Sequence, residues 1–182
     1  MADLTTLAAV KSWLGLAAST DDALLGRLIT ATSAYIEQWT NRHFLSQTFN
    51  EVRDGTGGAA MVFADYPVTA VTAVVVNGQA IPLSPGYGQF GYSFTDTVLR
   101  LTGRWFDRGL GNVQLTYTAG YASVPPEIEQ ACIELVALRY KERDRIGHQS
   151  KSLAGETVTF MIRDFPDSVR TILTNWRKVV PL

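Results

Sequence analysis

Two histidines and one cysteine are the side chains of this sequence best suited to acid–base, nucleophilic or metal chemistry. His43 and His148 are far apart in the chain, and Cys132 is the only cysteine. A zinc site needs several Cys or His ligands at short spacings, and a catalytic site needs a nucleophile, a base and an orienting group. The sequence therefore predicts no metal, cofactor or catalytic residues. We expect both histidines at the surface or at a helix end, neither in a cleft beside a carboxylate.

Two other patterns that could carry chemistry favour structural roles. Cys132 falls on the apolar stripe of a predicted helix, and a thiol buried in apolar surroundings is inert. Gly55, Gly57 and Gly58 are followed by alanines, whereas a phosphate-binding loop needs a lysine and a hydroxyl after its glycines. We interpret the glycines as a turn. An enzyme is the least favoured class of protein.

Two adjacent aromatic residues, Trp105 and Phe106, lie in a turn-like segment between charged residues. Large aromatics are costly to leave in water, and Trp, Tyr and Arg dominate the energetics of protein interfaces. The pair could anchor a partner, or it could cap the core of the surrounding β-structure. Further aromatics between residues 87 and 94 leave the same choice open, with a sugar-stacking surface as a third possibility.

A basic cluster lies at the predicted end of the third helix. Residues 139–145 hold four basic and two acidic side chains, and the cluster includes Tyr140, Lys141, Arg143 and Arg145. The cluster could bind phosphate or an acidic partner, with Lys151 contributing from the next loop. It could equally be a charged helix end that suits the helix dipole and forms local ion pairs.

The elements that position these residues predict an α+β fold, a small bundle of about four helices with an inserted antiparallel β unit. Apolar stripes at helical spacing predict helices after Thr5 or Thr6, from about residue 20 to Asn41, from residues 125–126, and from about Pro166. Asn77-Gly78 between apolar runs predicts a β-hairpin. We place the helical part at residues 1–46 and 113–182 and the β unit at 47–112.

Composition limits the possible functions of the chain. The 182 residues carry 16 basic and 17 acidic side chains, a net charge of −1. Binding to DNA regardless of sequence depends on clustered Lys and Arg, and no third of the chain is a basic block. The start of the chain does not resemble a signal peptide. No apolar run approaches the roughly 18 residues of a membrane span, so we expect synthesis in the cytoplasm and no contact with a membrane.

The order of several motifs resembles the head–tail connector, or adaptor, proteins of tailed phages. The motifs are Leu4–Gly15 followed by Asp21–Leu25, then Ala31–Glu37 with Thr40–Arg42, then Val113–Tyr121 with Val124–Val136, and finally Arg143–Gly147 with Ser150–Thr157. The resemblance covers both predicted helical parts. Residues 47–112 would be a long variant of the family's connection between helices.

The resemblance implies a structural protein of the virion's head–tail junction, made in the host cytoplasm. It implies a ring of twelve copies on the portal protein, a contact with a head-closure or tail-completion protein, and a channel through which DNA only passes. The C-terminal segment, with Trp176 and Arg177, would embrace the portal. The candidate interface residues are then Trp105, Phe106, Tyr140, Lys141, Arg143, Arg145, Lys151, Trp176 and Arg177. The β unit would form part of one ring contact or project outward.

Two alternatives remain open at the level of sequence. The first is another neck or tail-completion component built on a similar helical scaffold. The second is a binding protein in which the β unit recognises a sugar or a host surface.

Overall fold

The computed structural model describes residues 2–143, 150–153, 156–159 and 165–178. The chain divides into two compact units. The helical unit comprises residues 1–42 and 124–182, and the β unit comprises residues 43–123. The described helices and antiparallel sheets confirm the α+β class. The division lies at 42/43 and 123/124, whereas the sequence suggested 46/47 and 112/113, because the strand that contains residues 113–117 pairs within the β unit.

The helical unit contains four helices in its described residues: α1 Leu7–Leu14, α2 Asp22–Thr40, α3 Pro126–Glu142 and α4 Asp167–Trp176. Both ends of α1 are capped. The Thr6 hydroxyl accepts a hydrogen bond from the Ala9 N–H, and Gly15 ends the helix with φ 69°, a left-handed conformation that costs glycine little. Asn41 ends α2 in the same conformation, with φ 53°.

Helices α2 and α3 each contact the other three helices of the helical unit, and α3 contributes the largest share of buried apolar residues. Its buried residues lie on more than one face, which a helix packed against three others requires. Those residues are Ile128, Ala131, Cys132, Ile133, Leu135, Val136 and Ala137. From the other helices, Val10, Leu25, Ile29, Ile36, Val169 and Leu173 complete the core.

The β unit contains seven strands: β1 Gln47–Gly55, β2 Ala60–Val62, β3 Val68–Val76, β4 Gln79–Ala80, β5 Gly91–Phe94, β6 Val98–Thr102 and β7 Gly109–Ala119. They form a four-stranded antiparallel sheet in the order β1-β7-β3-β4 and a three-stranded antiparallel sheet in the order β2-β6-β5. Their inner faces share one apolar core, which includes Phe63, Val74, Leu99, Phe106, Leu115 and Tyr117.

The predicted hairpin at Asn77-Gly78 joins β3 to β4, and both residues have positive φ, 52° and 74°. In the described residues after α3, strands β8 Ser150–Leu153 and β9 Glu156–Thr159 pair antiparallel.

Candidate interface surfaces

The two adjacent aromatics of the loop between β6 and β7 have opposite environments. Phe106 is fully buried in the core of the β unit, whereas the Trp105 side chain is 59% exposed. Of the two roles that the sequence left open for this pair, Phe106 therefore has the core position. Trp105 presents a large apolar ring to solvent, as a residue that anchors a partner would.

The backbone that directly follows Trp105 is held by three hydrogen bonds. The Phe106 N–H donates to the Gly58 carbonyl at 2.8 Å, and the Gly57 N–H donates to the Phe106 carbonyl at 2.6 Å. The Asn112 amide donates to the Asp107 carbonyl at 2.8 Å. A partner that binds a ring on such a fixed loop loses little conformational entropy.

The basic end of α3 is partly engaged within the helical unit. The Tyr140 hydroxyl donates to the Asp21 carboxylate, and the Arg143 guanidinium lies 4.1 Å from the centre of the Tyr140 ring. Lys141 is exposed. These contacts hold Tyr140 and Arg143 within their own helical unit. Arg145 and the side chain of Lys151 lie outside the described residues.

The two candidate residues at the end of α4 also have contacts within the helical unit. The Trp176 indole N–H donates to a Glu127 carboxylate oxygen at 2.9 Å, and the Arg42 guanidinium lies 5.5 Å from the Trp176 ring. The Arg177 guanidinium lies 5.2 Å from the ring of Trp39. In this structure both side chains help to hold α4 on its own subunit.

Phe165, which precedes α4, is a contact residue that the sequence analysis did not identify. Its ring stacks on Tyr35 at 5.2 Å and meets Trp39 edge-on at 5.6 Å between ring centres. The spacing of Tyr35 and Trp39 by four residues on α2 signalled an aromatic face. Nothing in the sequence showed which segment would cover that face.

A line of polar contacts joins β1 to the connection between β2 and β3. The Tyr117 hydroxyl donates to the Glu51 carboxylate and accepts a hydrogen bond from the Asp65 N–H at 3.2 Å. Burial, with the hydrogen bond to Glu51, raises the pKa of Tyr117 above its ordinary value. The Arg53 guanidinium donates to the Val62 carbonyl. Both charged side chains of β1 that point inward are thus hydrogen-bonded.

His43 lies at the surface, as the sequence suggested, but not at the end of α2. That helix ends at Thr40, so His43 belongs to the β unit, and its Nδ1 lies 3.5 Å from a carboxylate oxygen of Asp65 in the connection after β2. The His43 side chain is 47% exposed, and His148 lies outside the described residues. Cys132 is buried as predicted, and burial raises its pKa to about 11.

An open pocket of about 650 Å³ lies over the outer side of the three-stranded sheet. Arg100 and Ser93, which are cross-strand neighbours, form its floor with Ala60, and the loop that carries Tyr87 forms a wall. Its lining includes a single cation and no acidic side chain. In the part of the chain that the structure describes, no three His, Cys, Asp or Glu side chains are grouped as metal ligands would be, and no helix is long and apolar enough to cross a membrane.

Comparison with known proteins gives a family and a shared fold. A family model described as head completion protein matches residues 3–179, and no curated protein matches the sequence. The chain is similar to a chain in the neck of an empty GTA particle computed with C6 symmetry, with 23% identity and a TM-score of 0.63. It is similar to chains in the neck of a native GTA particle computed with C12 symmetry and in the virion of a native gene transfer agent particle, with 22% identity and TM-scores of 0.62 and 0.61. Each alignment covers 97% of this chain and 90% of the other.

Proposed function

This chain belongs to the head completion protein family, and from that premise we propose that it is a structural subunit of a phage-type neck. Several copies form a ring that joins the capsid portal to the next neck or tail component, and the ring leaves a channel through which DNA passes. The subunit is made in the host cytoplasm and works in the virion at the head–tail junction.

One observation carries this proposal: the family match extends over residues 3–179 and so includes both compact units. A match of that extent concerns the whole architecture rather than one shared motif. The fold is also that of chains in GTA necks computed with C12 and C6 symmetry. A ring of identical copies uses two different, complementary faces on each subunit.

The candidate contact residues fall into two groups under this proposal. Trp105 is a fixed, exposed aromatic anchor on the β unit. The second group lies in the helical unit. Lys151, Trp176 and Arg177 belong to the C-terminal segment that we propose embraces the portal, and Tyr140, Lys141, Arg143 and Arg145 form the basic end of α3, a candidate contact for an acidic partner. Phe106 supports Trp105 from the core and makes no direct contact with a partner.

Electron microscopy of the protein mixed with the portal ring of the same particle tests the proposal. We expect rings seated on the portal, with a central opening wide enough for duplex DNA. Copurification with the portal also separates this function from that of another neck or tail-completion protein. A chain that never associates with the portal, while it binds a different tail component, would show that the alternative is correct.

The pocket over the three-stranded sheet favours a second function, recognition of a sugar or host surface by the β unit. Tyr87 is fully exposed beside it, and Arg100, Ser93 and Thr102 supply polar groups. Glycan-array binding by the full chain, lost on Tyr87→Ala or Arg100→Ala, would support this function. Absence of glycan binding together with assembly on the portal would exclude it.

A further inference from the structure

Three polar side chains on the floor of the pocket over the three-stranded sheet have no partner in the part of the chain that the structure describes. Arg100 and Thr102 alternate along β6, so both point to the outer side of the sheet, and Ser93 lies opposite Arg100 on β5. No hydrogen bond or ion pair joins the Arg100 guanidinium or the two hydroxyls to another described residue. Arg53 and Arg104 of the same unit, by contrast, each donate to an oxygen. The floor therefore presents a cation and two hydroxyls that a ligand can bind.

The wall of the pocket is a short loop held in place by its own hydrogen bonds. The Ser84 hydroxyl lies within hydrogen-bond distance of the carbonyl oxygens of Gly86 and Gln89, at 2.8 and 2.9 Å. The Ser84 N–H donates to the Tyr92 carbonyl on β5 at 2.8 Å. This loop carries the fully exposed ring of Tyr87 at the side of the pocket. A ligand that stacks on the ring meets a loop that is already ordered, which reduces the entropy lost on binding.

The charge of the pocket favours an anionic group on the ligand. Arg100 is the only charged side chain in the lining. A guanidinium binds a carboxylate through two parallel N–H···O hydrogen bonds. The hydroxyls of Ser93 and Thr102 can donate to, or accept from, hydroxyl groups of the same ligand. The volume of about 650 Å³ lies within the range of about 300–1,000 Å³ that is usual for small-molecule sites.

We propose that this pocket binds an acidic sugar residue, with Arg100 on the sugar carboxylate and the Tyr87 ring against the apolar face of the sugar ring. This inference rests on the second candidate function, sugar recognition by the β unit, and gives it a ligand class. An acidic segment of a protein fits less well, because the centre of a protein contact is apolar and this lining consists mainly of small and hydroxyl side chains. Nucleic acid is held by clustered Lys and Arg, whereas the pocket has one cation.

Pairs of glycans that differ only in one carboxylate test the inference on the full chain. An array that carries terminal glucuronic and galacturonic acid beside terminal glucose and galactose provides such pairs, and ligand-observed NMR titration with the methyl glycosides gives the affinities. We expect the acidic member of a pair to bind about tenfold or more tightly, because its carboxylate forms charge-assisted hydrogen bonds that the neutral hydroxymethyl group does not form.

Arg100→Gln removes the charge from the pocket floor and keeps a hydrogen-bonding side chain. This variant should bind the acidic and neutral sugars within about twofold of each other, because the carboxylate has lost its charged partner. The matched control is Arg108→Gln, since Arg108 is also an exposed arginine of the β unit but does not line the pocket. It should keep the wild-type preference. Tyr87→Ala should weaken the binding of both sugars by the same factor, since the ring contacts no charge.

The outcomes separate this inference from the functions proposed above. A preference for acidic sugars that Arg100→Gln abolishes and Arg108→Gln retains supports the inference. Equal binding of acidic and neutral sugars overturns it and leaves sugar recognition intact. Binding of a polyglutamate peptide without any glycan, or no binding at all, removes both the inference and sugar recognition. Assembly on the portal, measured separately by electron microscopy, decides the neck function in every case.

Discussion

Replacement of Phe106 by alanine is expected to destabilise the β unit, whereas replacement of its neighbour Trp105 is expected to spare stability and impair assembly. Phe106 has no exposed surface and belongs to the apolar core that both sheets share. Trp105 is 59% exposed on a loop whose backbone is fixed by other residues. Two adjacent positions should therefore give opposite phenotypes.

The magnitudes follow from burial. A fully buried Phe changed to Ala costs about 3–5 kcal/mol, the sum of lost transfer free energy and the cavity left behind. Surface substitutions change the free energy of unfolding by about 0.5 kcal/mol or less. Because about 1.4 kcal/mol is a factor of ten in an equilibrium constant, the Phe106 change should raise the open population of the β unit by roughly two to three and a half orders of magnitude.

Native-state hydrogen exchange, read by mass spectrometry on β7 peptides, measures that population within the β unit itself. We expect exchange of β7 amides to accelerate by two or more orders of magnitude in Phe106→Ala and by less than about threefold in Trp105→Ala. Electron microscopy with the portal should show fewer rings for Trp105→Ala. Trp13→Ala is the matched control, because Trp13 is exposed to a similar degree, 55%, on α1 of the helical unit.

The reasoning is refuted if both variants accelerate exchange equally, since Trp105 would then be part of the core. It is also refuted if Trp105→Ala assembles as well as the wild type does, because the exposed ring would then have no partner. A loss of assembly in Trp13→Ala as large as that in Trp105→Ala would show that any exposed tryptophan matters, not this loop in particular.

Three further predictions concern stability and reactivity. Tyr117→Phe should lower the free energy of unfolding by about 1–3 kcal/mol. Because burial raises the Tyr117 pKa in the folded state, the stability that the hydroxyl contributes is present below pH ~10 and is lost as the pH rises above it. If the stability of the variant falls with alkaline pH as steeply as that of the wild type in chemical denaturation, the prediction is contradicted. Gly55→Ala should destabilise the β unit by about 1–3 kcal/mol, since the added Cβ would lie 1.8 Å from the Asp107 carbonyl oxygen. Gly58→Ala is the control, because the nearest atom to its added Cβ is 3.4 Å away. Equal rates of amide hydrogen exchange in the two variants would refute the argument. Cys132, with its pKa raised to about 11 by burial, should resist alkylation at pH 8 until denaturant is added; rapid native labelling contradicts its burial.

The helices were predictable from sequence because their signals are local. The stripe from Leu25 to Ile36 has helical spacing, and Thr6, Gly15 and Asn41 mark helix ends through their own backbone and side-chain preferences. The Asn77-Gly78 hairpin was predictable for the same reason, since a two-residue turn needs positive φ at both positions.

Strands β1 and β5 were not predictable because their own residue patterns are not those of a strand. In β1 the inward positions include Glu51 and Arg53, so the alternation of apolar and polar residues that signals a strand is inverted. In β5, Gly91 begins a four-residue strand inside a Gly-rich stretch that resembles a loop. Strand β1 forms because it pairs with β7, and β5 forms because it pairs with β6. Such pairing depends on residues distant in sequence, so a local pattern does not show it.

The candidate contact residues were identified by type, but their contacts depend on residues distant in sequence. Tyr140 meets Asp21 across 119 positions, and Trp176 meets Glu127 across 49. No periodicity encodes such pairs. Trp105 and Phe106 show the same limit. The sequence identified two large aromatic side chains that are unfavourable in water, but only the packing of the β unit determines that Phe106 is the buried one.

The first and last helices belong to the same compact unit, and this has a consequence during translation. Helices α1 and α2 leave the ribosome with apolar stripes that α3 must cover, and α3 ends only at Glu142. Synthesis of the 100 residues from Arg42 to Glu142 takes about 5–20 s at about 5–20 residues per second. The β unit, which is continuous in sequence, has every partner it needs by Ser123. The nascent chain thus spends about 5–20 s with the apolar stripes of α1 and α2 uncovered, and a chaperone that binds them during this interval would most improve the yield of folded protein.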